Sequence, residues 1–191
     1  MREARGPRLS RRREYLDEYK KDASGKYVYT GNTYTYTSGR LKSRRVFYAV
    51  LWLLFTVSFA ALIVCGLFHV PGMLGCAYVL IPYTGAVVVS LTELWGMTSL
   101  SISGHPLTKH DYETTVQKLP RRAAVTMIFS ALTVLGEIVY LIINGSGGVR
   151  PLNTVFFFIL LAAAFCSCFI ATKLLSTATW TESAQAVDPD A

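Results

Sequence analysis

Residues 46–68 contain no charged side chain, and they follow directly on a basic cluster formed by Arg40, Lys42, Arg44 and Arg45. An α-helix needs about 20 apolar residues to cross the hydrocarbon core of a bilayer, which is about 30 Å thick. We therefore predict that this stretch is a membrane span. Because Lys and Arg are retained on the cytoplasmic side, we expect the chain before it to be cytoplasmic and the helix to run outward.

Three more apolar stretches follow along the chain, at 73–95, 123–143 and 154–175. The segment between the second and the third contains several basic residues, so we expect it on the same side as the amino-terminal arm. Four crossings then leave both termini in the cytoplasm. We predict an all-α membrane protein with a four-helix transmembrane bundle over 46–176, in a bacterial inner membrane. With 52% hydrophobic residues, the chain has no room for a large soluble domain.

Residues 109–119, between the second and third spans, have the pattern of a short amphipathic helix. Thr108 suits its N-cap, and Asp111 follows three residues later. Apolar side chains then recur at helical spacing on one side: Tyr112, Val116 and Leu119. We predict that this helix lies in the membrane interface with its apolar side towards the lipid.

A β-hairpin is predicted over 27–36, where two runs rich in Tyr and Thr flank the turn-forming dipeptide Gly31-Asn32. Its four rings would share one face, with Tyr29 opposite Tyr34 and Tyr27 opposite Tyr36. A two-stranded hairpin is at best marginally stable alone in water. We expect the tyrosine face to rest on the cytoplasmic lipid headgroups or on a partner protein, and a disordered linker is the third alternative.

The amino-terminal arm, residues 1–45, has 13 basic and 5 acidic side chains and so carries a charge of +8. Basic residues beside a span are attracted to anionic lipid headgroups, by about 1 kcal/mol each. Nucleic-acid binding is not expected, because no folded basic module accompanies this charge. The tail, residues 177–191, is acidic and short, and we expect it to be cytoplasmic and disordered.

Two ionisable side chains lie near the cytoplasmic ends of their spans, Glu93 in the second and Lys173 in the fourth. A charge at the centre of a bilayer costs about 2.5–3.5 kcal/mol, so each such residue is a candidate for function. Because Glu93 and Lys173 share a depth, we predict that they form a structural ion pair. Arg121 and Arg122, at the base of the third span, are competing partners for Glu93.

Glu137 lies deeper in the membrane, about 9 Å below the outer end of the third span at 1.5 Å per residue. No basic residue within a span shares its depth, so the candidate partners are His69, Arg150 and the hydroxyls of Tyr78 and Tyr140. One hypothesis is a hydrogen-bonded carboxyl that closes the outer end of the bundle. The other is a carboxyl that carries protons or binds a cation.

The two leading hypotheses for function differ in the features on which they depend. The first is a non-enzymatic accessory or scaffold subunit that docks through its cytoplasmic face onto a membrane protein partner. The second is a small oligomeric proton- or cation-coupled transporter or channel, which would use Glu137 and a helix kink at Pro82. Under either hypothesis anionic lipids are expected partners.

An enzymatic function is disfavoured, and neither a metal nor a cofactor is predicted. A thiol oxidoreductase would need paired cysteines in external loops, whereas Cys65 and Cys76 fall within predicted helices. A disulfide between these two is geometrically conceivable, because they flank a short turn. His105 and His110 are too loosely placed to indicate a metal site.

Overall fold

The computed structural model describes residues 19–21, 25–68, 70–103, 105–145 and 151–184. Four of its helices are long and apolar enough to cross a membrane, which confirms the prediction of four such helices and supports a multi-pass membrane protein. The helices, in chain order, are α1 (Arg44–Cys65), α2 (Pro71–Gly75), α3 (Ala77–Ile102), α4 (Lys109–Asp111), α5 (Leu119–Asn144) and α6 (Pro151–Ser176).

The long helices α1, α3, α5 and α6 form a bundle in which each helix packs against two others, α1 and α5 each contacting α3 and α6. Their buried positions recur mainly every three or four residues, as in coiled coils and most four-helix bundles. On α5 these positions are Leu119, Ala123, Thr126, Ser130, Thr133 and Glu137. On α3 they are Val79, Tyr83, Ala86, Ser90, Glu93, Gly96, Met97 and Leu100.

The described residues also form five short strands outside the long helices: β1 (Tyr19–Lys21), β2 (Tyr27–Tyr29), β3 (Asn32–Ser38), β4 (Leu107–Thr108) and β5 (Thr179–Ala184). Strands β3, β4 and β5 form an antiparallel sheet in the order β4-β3-β5. They come from before α1, from between α3 and α5, and from after α6. We call the end of the bundle that carries this sheet the sheet end, and the opposite end the far end.

The prediction of a disordered tail is wrong for residues 179–184, because β5 pairs with β3 from Asn32↔Ala184 to Ser38↔Thr179. Trp180 anchors the strand, with its ring 5.6 Å from that of Tyr36. Residues 185–191 of the predicted tail and residues 1–18 of the predicted arm lie outside the described residues.

A small amino-terminal hairpin is confirmed, but its strands are not the predicted ones. Strand β2 pairs with β1, so that Tyr29 lies opposite Tyr19. Strand β3 pairs with β4 and β5, and the predicted pairing across Gly31-Asn32 is wrong. The physical reason is the longer ladder that β3 forms with β5, together with burial of Tyr36 against the bundle.

The segment predicted as an interfacial helix is helical, but its apolar side faces the protein. The predicted cap is present: the backbone N–H of Asp111 donates to the Thr108 hydroxyl at 3.2 Å. The single turn α4 continues as a π-helical stretch, Tyr112–Val116. Val116 and Leu119 are buried in the core at the sheet end, so the prediction that this side faces lipid is wrong.

The core consists of two apolar clusters, one towards each end of the bundle. The sheet-end cluster includes Phe47, Leu51, Met97 and Leu119. The far-end cluster is built around a second set of large side chains, Leu62, Tyr83, Phe157 and Leu161. Between the clusters lie fully or almost fully buried polar side chains, which we call the polar layer: Ser58, Ser90, Glu93, Thr126 and Ser130.

Candidate functional site

The centre of the polar layer is the carboxylate of Glu93, which is fully buried. The Thr126 hydroxyl donates to its Oε1 at 2.6 Å, and the Cys168 thiol lies 3.9 Å from its Oε2. The Sγ of Cys168 is in turn 3.2 Å from the Ser58 hydroxyl. This chain of contacts takes one side chain from each of the four long helices, and so connects the whole bundle at one level.

Thr126 links α5 to the Glu93 carboxylate on α3 by a hydrogen bond. A Ser or Thr within a helix commonly donates to a carbonyl of its own preceding turn. Thr133 does so, donating to the Phe129 carbonyl at 2.8 Å, and Ser90 donates to the Val87 carbonyl at 2.9 Å. Thr126 donates instead to the neighbouring helix, which gives the buried Glu93 a hydrogen-bond donor.

The predicted ion pair between Glu93 and Lys173 is not formed. Lys173 is exposed, and its Nζ lies 5.6 Å from the ring centroid of Phe169, one turn earlier on α6. Glu93 occupies an interior position of α3 and points towards the bundle axis. The residue of α6 at the level of Glu93 is Cys168, and Lys173 lies five residues further along the helix, about 7–8 Å at 1.5 Å per residue. Arg122 donates to the Thr92 carbonyl at 2.8 Å.

The second carboxylate, Glu137, is fully buried towards the far end of the bundle. Its Oε1 lies 3.4 Å from the backbone nitrogen of Gly72, which donates to it from the short helix α2. Its Oε2 has no hydrogen-bond partner among the described residues. A Cβ at Gly72 would collide with the carboxylate, so glycine is what allows α2 to approach Glu137.

The predicted tyrosine partners of Glu137 lie nearby without bonding to it. Tyr140 packs against the glycines of α2, and its Cβ would lie 3.1 Å from a Cβ at Gly72. Tyr78 packs beside Gly136 and is 47% exposed. Neither hydroxyl donates to Glu137 among the described residues, and a backbone N–H serves instead. His69 and Arg150, the other predicted partners, lie outside the described residues.

Helix α3 runs through Pro82 without interruption, from Ala77 to Ile102. Close to the proline, the Tyr83 hydroxyl donates to the Leu62 carbonyl of α1 at 2.7 Å. This bond anchors α3 against α1 within the far-end cluster. The kink at Pro82 and a cavity beside it stay predictions.

Hydroxyl side chains on the inner face of α5 lie between the levels of Glu93 and Glu137. From Thr126, which contacts Glu93, to Glu137 the helix rises about 16 Å at 1.5 Å per residue. The interior residues between them are Ser130 and Thr133, and the Ser130 hydroxyl is buried without a partner among the described residues. A hydroxyl can donate and accept, so such a row can pass a proton or solvate a small cation. We call Thr126, Ser130, Thr133 and Glu137 the polar seam.

The four tyrosines predicted to share a docking face are distributed over different surroundings. Tyr34 stacks on Tyr112 with ring centroids 4.2 Å apart, and Tyr36 is buried. The Tyr29 hydroxyl accepts from the backbone N–H of Lys109 at 3.2 Å. Tyr27 is 67% exposed. Three of the rings are thus engaged within the protein, and they do not form one free surface.

The tyrosines of the sheet lie in a setting that favours their neutral form. Burial raises the pKa of the Tyr34 hydroxyl, and the nearby carboxylate of Glu182 raises it further. Burial also raises the pKa of Tyr36, whose hydroxyl donates to the Leu41 carbonyl at 2.5 Å. Both residues therefore act as neutral packing and hydrogen-bonding groups.

The described residues include all the cysteines of the chain. Its four cysteines are free thiols, and Cys65 donates to the Phe157 carbonyl at 3.7 Å, so the conceivable disulfide with Cys76 is not formed. Across these residues, no group of three or more His, Cys, Asp or Glu side chains is placed to hold a metal ion.

The sequence pointed to both buried carboxylates but not to their partners, which are Thr126 and Cys168 for Glu93 and the backbone N–H of Gly72 for Glu137. The available signal was the alternating spacing of polar residues on α5, which places Thr126, Ser130 and Thr133 on the same face as Glu137. The assembled site is therefore a carboxylate network linked to a row of hydroxyls. Comparisons of the chain with protein-family models, with curated proteins and with solved structures found no match.

Proposed function

We propose that this chain carries protons or small cations through the interior of its helical bundle, with Glu137 as the principal binding group. The observation that carries the proposal is the Glu137 carboxylate, which is fully buried and has an Oε2 without a partner among the described residues. Burying a carboxylate without a partner is costly, so such a group is expected to hold a proton or a cation. Ionisable residues inside membrane helices commonly belong to ion pathways.

The polar seam supplies a route from Glu137 towards Glu93. Successive interior residues on one helix face are three or four positions apart, with about 5–6 Å between their Cβ atoms. Thr133 and Ser130 therefore divide the distance into short steps. At the other end of the seam, the carboxylate of Glu93 accepts a hydrogen bond from the Thr126 hydroxyl. We place the sheet end in the cytoplasm, following the positive charge of the amino-terminal arm.

The test is ion flux in proteoliposomes that contain the purified full chain. We expect the protein to conduct protons or a monovalent cation faster than empty vesicles do, and we expect Glu137→Gln to abolish most of this flux. The matched control is Glu113→Gln, because Glu113 is exposed and lies away from the seam. Both variants should elute as the parent does in size-exclusion chromatography.

Two results would overturn the proposal. One is parental protein that conducts no better than empty vesicles under an imposed pH or cation gradient. The other is a folded Glu137→Gln variant with undiminished flux. Loss of flux in both Glu137→Gln and the Glu113→Gln control would also count against a specific role for Glu137.

An accessory subunit of a membrane complex is the second candidate, and the edge of the sheet favours it. Among the described strands, β5 pairs with β3 alone, and its residues 181–183 are exposed. An exposed edge strand can accept a strand from a partner protein. This candidate predicts no flux from the reconstituted chain alone, so the same assay separates the two functions.

A further inference from the structure

A shallow groove of about 340 Å³ lies on the outside of the bundle, between α3 and α5. The groove lies towards the sheet end of these two helices, and it is separate from the buried polar seam. Its lining combines three basic side chains with a threonine and two valines: Lys118, Arg121, Arg122, Thr92, Val89 and Val125. We call it the α3–α5 groove.

Arg122 is held in place at the base of the groove. It donates to the Thr92 carbonyl of α3 at 2.8 Å. Its guanidinium lies over Gly96, where an added Cβ would be only 3.0 Å from Nη1. A guanidinium has five N–H donors, and this carbonyl uses one of them. Arg122 is therefore positioned by α3 while most of its donors are available to a ligand.

Lys118 and Arg121 are exposed beside it, and neither forms an ion pair with an acidic residue in the described part of the chain. All three positive charges lie at the amino-terminal end of α5, and the first turn of that helix contains no acidic residue. The helix dipole makes cations unfavourable at this end. Helix stability does not explain the cluster, whereas a bound anion would neutralise it.

Val89 and Val125 make the part of the groove away from the basic side chains apolar. From Lys118 to Val125 helix α5 rises about 10 Å, so the basic side chains lie at one end of the groove and the valine side chains deeper along the span. Val125 faces outward and is 39% exposed. A ligand that fits must therefore carry negative charge at one end and hydrocarbon at the other.

We propose that the α3–α5 groove binds an anionic phospholipid, with its phosphate headgroup on Lys118, Arg121 and Arg122 and an acyl chain along Val89 and Val125. Basic pockets between membrane helices are a known means of binding such headgroups. The site lies on the outer surface, so the inference goes beyond the proposed transport function and does not depend on it.

The test is native mass spectrometry of the full chain released from detergent micelles that contain phosphatidylglycerol or phosphatidylcholine. We expect the parent to retain phosphatidylglycerol preferentially. The triple variant Lys118→Gln, Arg121→Gln, Arg122→Gln should retain it at least about tenfold less. The matched control removes the same charge from exposed residues of the amino-terminal hairpin that are not beside a span, as Lys20→Gln, Lys21→Gln, Lys26→Gln, and should retain the lipid as the parent does.

A second variant tests the apolar half of the site without altering charge. Val125→Trp fills the groove from an outward-facing position, and we expect it to lose phosphatidylglycerol while remaining folded. Inorganic phosphate alone should not displace the lipid from the parent. Equal retention of both lipids by the parent, equal loss in the two charge variants, full retention by Val125→Trp, or displacement by free phosphate would each overturn the proposal.

Discussion

At the scale of single residues, the clearest feature is the different use of two threonines on one face of α5. Thr126 and Thr133 are both fully buried at interior positions. The hydroxyl of Thr133 bonds within its own helix, whereas that of Thr126 bonds to Glu93 on α3. The same residue type in the same kind of position therefore forms a hydrogen bond between two helices in one case only.

We expect Thr126→Val to destabilise the protein by about 1–2 kcal/mol, because it leaves one oxygen of a buried carboxylate without its donor. Thr133→Val is the matched control and should cost less than about 0.5 kcal/mol, since it removes a bond within one helix. Reversible unfolding in mixed detergent micelles measures both free energies. Equal losses for the two variants would contradict a special role for the bond between Thr126 and Glu93.

The sequence indicated that Glu93 and Glu137 are unusual, because a carboxylate in an apolar span is conspicuous without any structure. It did not reveal their partners. Depth estimated from the predicted span ends places Lys173 level with Glu93, whereas Cys168, five residues earlier, is the residue of α6 that contacts Glu93. Rotation around the helix axis decides whether two side chains meet, and Glu93 points inward whereas Lys173 is exposed.

At the scale of helices and strands, the four spans were predictable because hydropathy is a local property of the chain. Strand partners were not. Thr33 bonds to Ser183, which is 150 residues away, and no local pattern indicates such a pairing. The Gly31-Asn32 dipeptide favours a local hairpin. In the structure β3 lies against the bundle instead, and the ring of Tyr36 stacks on that of Phe47 with centroids 4.7 Å apart.

The sheet should therefore depend on Tyr36. Tyr36→Ala removes a buried ring that contacts both Phe47 and Trp180, and we expect a loss of about 3 kcal/mol. Strand β5 should then become susceptible to a protease that cleaves after Glu182, and mass spectrometry of the released peptide would measure the rate. Tyr27→Ala is the control, because this ring is exposed, and it should change neither quantity. Unchanged protection of Glu182 in Tyr36→Ala would contradict the expected role of this ring.

At the scale of the whole molecule, the strands of the sheet lie at one end of the bundle, and the last residues of α5 and the first residues of α6 lie at the other. The positive charge of the arm predicts that the sheet end is cytoplasmic. A cysteine introduced at Lys26 should be protected from a membrane-impermeant maleimide in intact cells, and one introduced at Asn144 should react. Both positions are exposed. The parental chain provides the background from the native cysteines.

The opposite labelling pattern would reverse the orientation, and the direction of the proposed ion movement with it. Equal labelling at both positions would contradict the expectation that the charge of the arm imposes a single orientation. The bundle and the contacts of the polar seam would be the same in either case, because they do not depend on which side faces the cytoplasm.

The strand order β4-β3-β5 also determines when the protein can be completed during synthesis. Each span can enter the membrane as it leaves the ribosome, but β3 is made before all four spans and its long partner β5 after them. One edge of β3 therefore lacks its partner strand until all four spans and β5 have been synthesised. The pairing of β3 with β5 is therefore the last step in the assembly of the sheet. It links the segment before α1 to the segment after α6.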